Sequence, residues 1–191
     1  MGRKVIQMKV ALNGIQPEIW RRFIVDSSIS LYRLHRILQE IMGWTNSHLF
    51  SFDVRGIEYS AADEEFGDEM SDDFEDARIT TLESFHLKTN SKIKYIYDFG
   101  DYWEHTIKVE KVVEANSLSQ IPHCIEGARN CPPEDCGSVP GYYDLVAAMK
   151  NLDSDEAKEL IEWLGGTYDS EFFDINEINS ILKSMSASIG N

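Results

Sequence analysis

A chain of 191 residues is long enough for one ordinary domain with a sizeable core, and 42% hydrophobic, 27% charged and 11% aromatic residues are the composition of a globular protein. The formal charge of -15, from 18 basic and 33 acidic residues, disfavours a general coat for nucleic acid or an anionic membrane.

From Lys4 to Leu12 the apolar residues Ile6, Met8, Val10 and Leu12 alternate with polar or small ones, the period-two signature of a half-buried strand. Asn13-Gly14 supplies a tight-turn signal, and Trp20 to Val25 reads as a second strand. Asp26-Ser27-Ser28-Ile29-Ser30 offers capping oxygens ahead of an apolar stripe at Leu31, Leu34, Ile37, Leu38, Ile41 and Met42, which Gly43 terminates. Leu49 to Tyr59 reads as a strand with a kink or turn at Arg55-Gly56. Asp63 to Asp76 then holds nine carboxylates and no Lys or Arg, which predicts a solvated, mobile loop over residues 61–78. It lacks the alternating ligands, central Gly and final Glu of a helix-loop-helix calcium site. Lys92 to Tyr97 and Tyr102 to Val113 read as a hairpin around Asp98-Phe99-Gly100-Asp101.

After Pro140 the pattern becomes helical, with stripes at Tyr142, Leu145, Val146 and Met149, at Ala157, Leu160, Ile161 and Leu164, and at Ile175, Ile178, Leu182 and Met185. Asp174 with Glu177 reads as a capping pair for the last. The order β-β-α-β-β-β buries one helix stripe against one sheet face. It predicts a single α+β domain over residues 1–186, a two-layer β-grasp- or roll-like sheet closed by short helices within 141–186.

Two segments carry most of the chemistry. In the strand after the hairpin turn, Trp103, His105, Ile107 and Val109 share one face, so His105 points with the apolar residues. A histidine there is hydrogen-bonded, metal-bound or kept neutral by burial, and Asp98 or Asp101 is a candidate to orient it as an acid/base pair. The alternative is a turn-capping aspartate pair beside a core histidine. The second segment, His123 to Tyr142, is rich in Pro and Gly and reads as a rigid irregular loop. Its Cys124, Cys131 and Cys136, with His105 or His48, offer soft ligands for zinc, although paired Cys-x2-Cys spacing is missing and buried structural thiols are the competing reading. A cysteine nucleophile beside His105 is a weaker option. Glu126 and the Glu134-Asp135 pair are candidate ligand-facing carboxylates, and the pair equally suits a turn cap.

Arg21, Arg22, Arg33 and Arg36 make the N-terminal third locally basic and form a candidate anion-binding face, opposed at long range by the overall acidity. Met1-Gly2-Arg3-Lys4 leads into the first strand with no apolar signal core, and Ile6 stands where an acylation signal needs Ser or Thr. No stretch approaches the roughly 20 apolar residues of a membrane span. Three cysteines within thirteen residues suit a reducing compartment. The expectation is a soluble cytoplasmic protein with no membrane partner. Phosphate-loop, dinucleotide, zinc-protease and serine-hydrolase signatures are all missing.

Ile19-Trp20-Arg21-Arg22, Met42-Gly43-Trp44 with His48-Leu49, Tyr97 to Asp101 with Trp103 and His105, Cys131-Pro132-Pro133-Glu134-Asp135 with Gly137 and Gly141-Tyr142, and Trp163-Leu164-Gly165-Gly166 together resemble the Ri-plasmid open-reading-frame-three-like family of small bacterial and archaeal proteins. The resemblance implies one α+β domain with the Asp-Phe-Gly-Asp hairpin and the Cys-Pro-Pro-Glu-Asp loop as its signature. Some family members carry a transposon-resolvase label, which implies DNA strand exchange by an activated serine and an arginine-rich site. No such architecture stands in this sequence. The leading expectation is a non-enzymatic binding or adaptor module, with a possible mobile-element association, whose surface combines Asp98, Asp101, Trp103, His105, Glu126, Glu134 and Asp135 for an unknown ligand or protein partner. A small metal-dependent or acid/base hydrolase using the same residues is the first alternative. DNA binding through the four arginines is the second.

Overall fold

The alternation read in the first segment becomes β1 (Lys4–Leu12), paired antiparallel with β2 (Trp20–Asp26) in a register that sets Met8 against Phe23. Both residues are fully buried, whereas Lys9 and Arg22, the next pair along, lie on the opposite face. The structure is a computed structural model that describes residues 4–61, 73–114 and 120–187. Helix α1 (Leu31–Met42) starts where Ser30 Oγ accepts from Arg33 N–H at 3.1 Å and stops at Gly43, whose φ of 89° is the left-handed cap that glycine adopts without a Cβ clash. Its predicted stripe is buried along its whole length.

Leu49 to Tyr59 is a hairpin, β3 (Phe50–Val54) and β4 (Ile57–Ser60), turning at Arg55-Gly56. The acidic run is not all loop. Glu75–Asp76 form β5, a short parallel partner of β4, while residues 63–72 lie outside the described residues. After a 3-10 turn at Leu82–Phe85, β6 (Lys92–Tyr97) and β7 (Trp103–Glu114) make the expected hairpin, with Trp103, His105, Ile107 and Val109 buried on one face.

One predicted loop is partly a strand. His123–Ala128 forms β8, antiparallel to β2 at the sheet edge, where Gly127 and an irregular register are tolerated. Among the described residues the sheet therefore has eight strands in the order β5-β4-β3-β6-β7-β1-β2-β8, with the β6–β7 hairpin standing between β3 and β1. Helices α2 (Ser138–Ala148), α3 (Asp155–Leu164) and α4 (Ile175–Ala187) follow, and Asp174 Oδ1 accepts from the backbone N–H of Asn176 and Glu177 to open the last. Pro140 sits in the first turn of α2, where a missing N–H costs no helical bond. Among the described residues no helix is long and apolar enough to cross a membrane.

The core between α1 and the sheet contains one polar chain that steers the following loop. Gln39 Nε2 donates to Tyr95 Oη at 3.1 Å, the Tyr95 hydroxyl donates to His35 Nδ1 at 2.8 Å, and His35 Nε2–H donates to Asn46 Oδ1. Gln39 Oε1 accepts from Asn46 N–H at 3.0 Å. Burial pushes His35 down to about 3, so it is neutral and stacks on Phe50 at 3.7 Å. Asn46 is thereby tied to the helix, and the loop from Trp44 to Leu49 leaves in one direction.

Candidate functional site

Three segments converge at the end of β6. The first is the hairpin turn. Asp98 Oδ1 accepts from Gly100 N–H at 2.8 Å, and the backbone N–H of Asp98 donates to Leu49 O at 2.9 Å, which fixes the turn against the loop after α1. The second is that loop, where Ser47 N–H donates to Tyr97 Oη at 3.0 Å. The third is the segment after β8. Trp44 Nε1–H donates to Pro132 O at 2.9 Å, and Gly137 N–H donates to Asp101 Oδ2 at 3.1 Å. The two signature segments therefore meet, with the α1–β3 loop between them.

Glu134 is held by one oxygen. Its Oε1 accepts from Thr45 N–H at 2.8 Å, Thr45 Oγ1–H at 3.1 Å and the Tyr97 hydroxyl at 3.0 Å. Its Oε2 is shielded from solvent and has no hydrogen-bond partner. It faces His48 Nε2 across 3.7 Å, and that nitrogen is equally shielded and unpartnered. Asp135 Oδ1 lies 3.3 Å from the same nitrogen, and Asp98 Oδ1 lies 3.8 Å from Nδ1 on the other side of the ring. Among the described residues no Lys or Arg forms an ion pair with Asp98, Glu134 or Asp135. Burial first, and then the charge of Glu134, raises the Tyr97 hydroxyl well above its ordinary range, so it remains a donor.

The backbone around this cluster is unusual. Among the described residues nine non-glycine residues have left-handed φ, and six belong to the converging segments: Asn46 (62°), Asp98 (59°), Tyr102 (56°), Arg129 (68°), Asp135 (56°) and Ser138 (64°). Such conformations cost of order 1 kcal/mol or more and persist where surrounding structure over-determines them, commonly at functional sites. Gly141 adds a close approach, since a Cβ there would stand 1.8 Å from Cys136 O. A surface groove of about 430 Å³, walled in part by Lys4, Ser27, Thr81, Glu83 and His86, shares no residue with the junction.

Several candidate residues lie elsewhere or do other work. His105 is fully buried opposite Tyr95, with Trp44 edge-on at 5.3 Å and no hydrogen-bond partner on either ring nitrogen. Burial pushes it down to about 4, and neither Asp98 nor Asp101 orients it. Trp103 is buried and stacked on Trp44 at 6.5 Å. Glu126 pairs with Arg22 across β8 and β2, away from the junction.

The thiols do not form a ligand set with His105. Among the described residues the one group of three or more potential ligands within 4.8 Å is His48, Asp98 and Asp135. Cys131 packs against Met42 Sδ at 3.7 Å, and Cys124 turns its Sγ toward Glu126 O at 3.8 Å. Burial raises both thiols, and burial with the Asp101 carboxylate pushes Cys136 up to about 12. None is an activated nucleophile.

The arginines do not make one anion-binding face. Arg21 is buried and donates to the carbonyls of Trp20, Ile41, Ala128 and Arg129. Arg22, on the other side of β2, is bound by Glu110 and Glu126. Arg33 donates to Met185 O at 3.0 Å and is lowered by burial and by the neighbouring Arg36 charge. The sequence offers His48 only as a zinc contributor, and its place beside Met42-Gly43-Trp44 among the residues that carry the family resemblance is the signal it gives.

An antiparallel-dominated sheet with one helix on its face, a tight Asp-Phe-Gly-Asp hairpin and a proline-braced acidic loop define a class of small α+β proteins. The chain belongs to the family described as plasmid pRiA4b ORF-3-like protein, whose profile matches residues 4–177. It is 38% identical over 189 residues to the uncharacterized protein y4hQ of Sinorhizobium fredii, covering 98% of this chain and 95% of that one. The crystal structure of a protein of unknown function from Methanosarcina mazei Go1, MM3350, shares the fold with a TM-score of 0.81 at 29% identity, over 93% of this chain and 98% of that one.

Proposed function

We propose that this protein is a binding module whose site, at the junction of the hairpin and the Cys-Pro-Pro-Glu-Asp loop, takes a positively charged group. The supporting observation is the set of three carboxylates, Asp98, Glu134 and Asp135, arranged around His48, with which no Lys or Arg among the described residues forms an ion pair. Negative charge gathered close together and partly shielded from water, as at Asp98 and Glu134, attracts a cation more strongly than the same charge spread in water. The recognition surface is therefore His48 and these carboxylates, with Asp101 bracing the loop and Trp103 and His105 supporting it from the core. The hydrolase alternative uses the same cluster, and it places His48 rather than His105 at any acid/base position.

The test is titration of the full chain at low salt with two cationic probes, MnCl2 and a short lysine- and arginine-bearing peptide. Saturable binding of either probe, at least tenfold weaker in Glu134→Gln or Asp98→Asn, is the expected result. No binding of either, or equal binding by wild type and variants, overturns the reading.

A further inference from the structure

We infer that the groove at the end of β7 remote from the junction binds a small zwitterion with an apolar side chain, the chemistry of a free amino acid or a dipeptide. Strand β7 runs from Trp103 at the junction to Glu114, but its partner β6 begins only at Lys92, opposite Lys108. Beyond that pair Val112 stands opposite Ile6 of β1, with no β6 residue on its other side. Residues of the 3-10 turn at Leu82–Phe85 face Val112 and Ile6 across a groove of about 430 Å³. That volume falls in the range of ~300–1,000 Å³ that small-molecule sites occupy. The groove shares no residue with the junction, so this inference stands apart from the cation-binding reading.

The lining carries polar side chains that the fold does not use. Ser27 is 5% exposed, yet its hydroxyl forms no hydrogen bond with any described residue. Thr81 precedes the 3-10 turn in extended backbone, and its side chain makes no capping bond. A hydroxyl removed from bulk water without a partner costs stability, which a polar group of a bound ligand recovers. Lys4, Glu83 and His86 also line the groove, and among the described residues none of these three side chains forms an ion pair or a hydrogen bond. The neighbouring backbone donors are already committed. Ser27 N–H donates to Lys4 O at 3.0 Å, Leu82 N–H to Ile29 O at 3.0 Å, Glu83 N–H to Ser27 O at 2.8 Å and His86 N–H to Glu83 O at 3.1 Å. Recognition therefore falls to the side chains.

Their chemistry selects the ligand. Ile6, Leu82 and Leu87 are buried and Val112 is 38% exposed, which gives the groove an apolar floor with both signs of charge beside it. A ligand carboxylate suits the Lys4 ammonium, with His86 as a second donor, and a ligand ammonium suits Glu83. A singly charged ligand matches one of these residues and leaves the opposite charge unmet beside its apolar body, whereas a zwitterion meets both. The same count stands against a phosphorylated ligand, since Lys4 is the one permanent cation of the lining and Glu83 repels a dianion. A free amino acid and a dipeptide set their two charges at different separations, and titration distinguishes them.

The experiment adds L-leucine or leucyl-leucine to the 15N-labelled full chain up to about 10 mM, tenfold above a Kd of about 1 mM, and follows backbone amide shifts. Saturable binding of at least one of the two, with shifts centred on Ser27, Glu83, Leu87 and Val112, is the expected result, and the tighter binder identifies the source. Its N-acetyl derivative, which lacks the ammonium, and its C-terminal amide, which lacks the carboxylate, should each bind at least tenfold more weakly. Lys4→Gln and Glu83→Gln, both at exposed positions, should lose the same factor, and Ser27→Ala a smaller one. Lys92→Gln removes an equal charge outside the groove and should bind as the wild type does. Near-ultraviolet circular dichroism checks that each variant is folded. No saturable binding of either compound, or shifts centred away from the groove, overturns the inference. Equal binding by wild type, Lys4→Gln and Glu83→Gln overturns it as well. An N-acetyl derivative or an amide that binds as tightly as its parent overturns the zwitterion assignment.

Discussion

The Tyr97 hydroxyl donates to Glu134 Oε1 at 3.0 Å and accepts from Ser47 N–H at 3.0 Å, so one phenol ties the hairpin strand to both other segments of the junction. Trp44 stacks on its ring at 4.9 Å and anchors the Pro132 carbonyl, which holds the loop at the height where Glu134 can be reached. Tyr97→Phe removes the hydroxyl and keeps the ring. A hydrogen bond to a charged group is worth about 1.5–3 kcal/mol, and Thr45 retains part of the hold on Glu134, so a loss of about 1–2 kcal/mol is expected by urea unfolding. A double-mutant cycle with Glu134→Gln should return a coupling of about 1 kcal/mol. Additive single effects would mean that the bond is incidental.

Arg21 predicts a larger cost from a milder-looking change. Its guanidinium donates to four carbonyls at 2.7–2.9 Å and lies over the Phe173 ring at 4.7 Å, tying β2, the end of α1 and the exit of β8 to the segment before α4. Lysine carries the same charge but presents a single ammonium that cannot fork to those acceptors. Arg21→Lys should cost about 2–4 kcal/mol in the urea midpoint, with buried carbonyls left unpaired. An unchanged midpoint would show that the guanidinium is not a structural tie.

What the sequence made legible follows from which contacts are local. The α1 stripe, its Ser30 cap and its Gly43 stop lie within a few turns of chain, and so does the alternation that buries His105 with Trp103 and Ile107. Arg21 shares its parity with the apolar Phe23 and Val25, which already marks it as inward-facing, although a count of basic residues groups it with Arg22. Strand β8 was hidden because its identity depends on pairing with β2, about a hundred residues earlier, and the prolines and glycines that follow it dominate the local pattern. The site divides in the same manner. Its hairpin and acidic loop stand out as motifs, whereas His48 sits in a short loop without periodicity and gains its meaning only when residues 98, 134 and 135 arrive around it.

Gly141 tests how closely the junction depends on backbone approach. Its N–H donates to Gly137 O at 3.1 Å, and the Cys136 carbonyl occupies the place of a Cβ at 1.8 Å. Gly141→Ala must displace backbone, so a loss of about 3 kcal/mol or more is expected despite alanine's better helix propensity. Because Gly137 carries the N–H that binds Asp101, the displacement should also loosen the loop. Thermal unfolding checks the first expectation, and amide exchange at Gly137 checks the second. A wild-type melting temperature would refute the close-approach argument.

The two buried histidines set an acid limit on stability. Burial holds His35 near 3 and His105 near 4, against an ordinary value of about 6.5 in the unfolded chain. Between those values the unfolded state binds the extra proton, so stability is full above about pH 6.5 and falls as the pH drops toward the folded values. Each histidine should remove about 1.5–2 kcal/mol between pH 6.5 and 5. His105 offers the cleaner test, because it stands outside the Gln39–Tyr95–His35–Asn46 hydrogen-bond chain that a change at His35 would break. His105→Phe should change stability by no more than about 1 kcal/mol at pH 7.5, the added volume offsetting the relief of an unpartnered imidazole. Its unfolding free energy should then depend on pH less steeply than the wild type's by about one proton over that window. Equal slopes in the two proteins would show that His105 is not held neutral by burial.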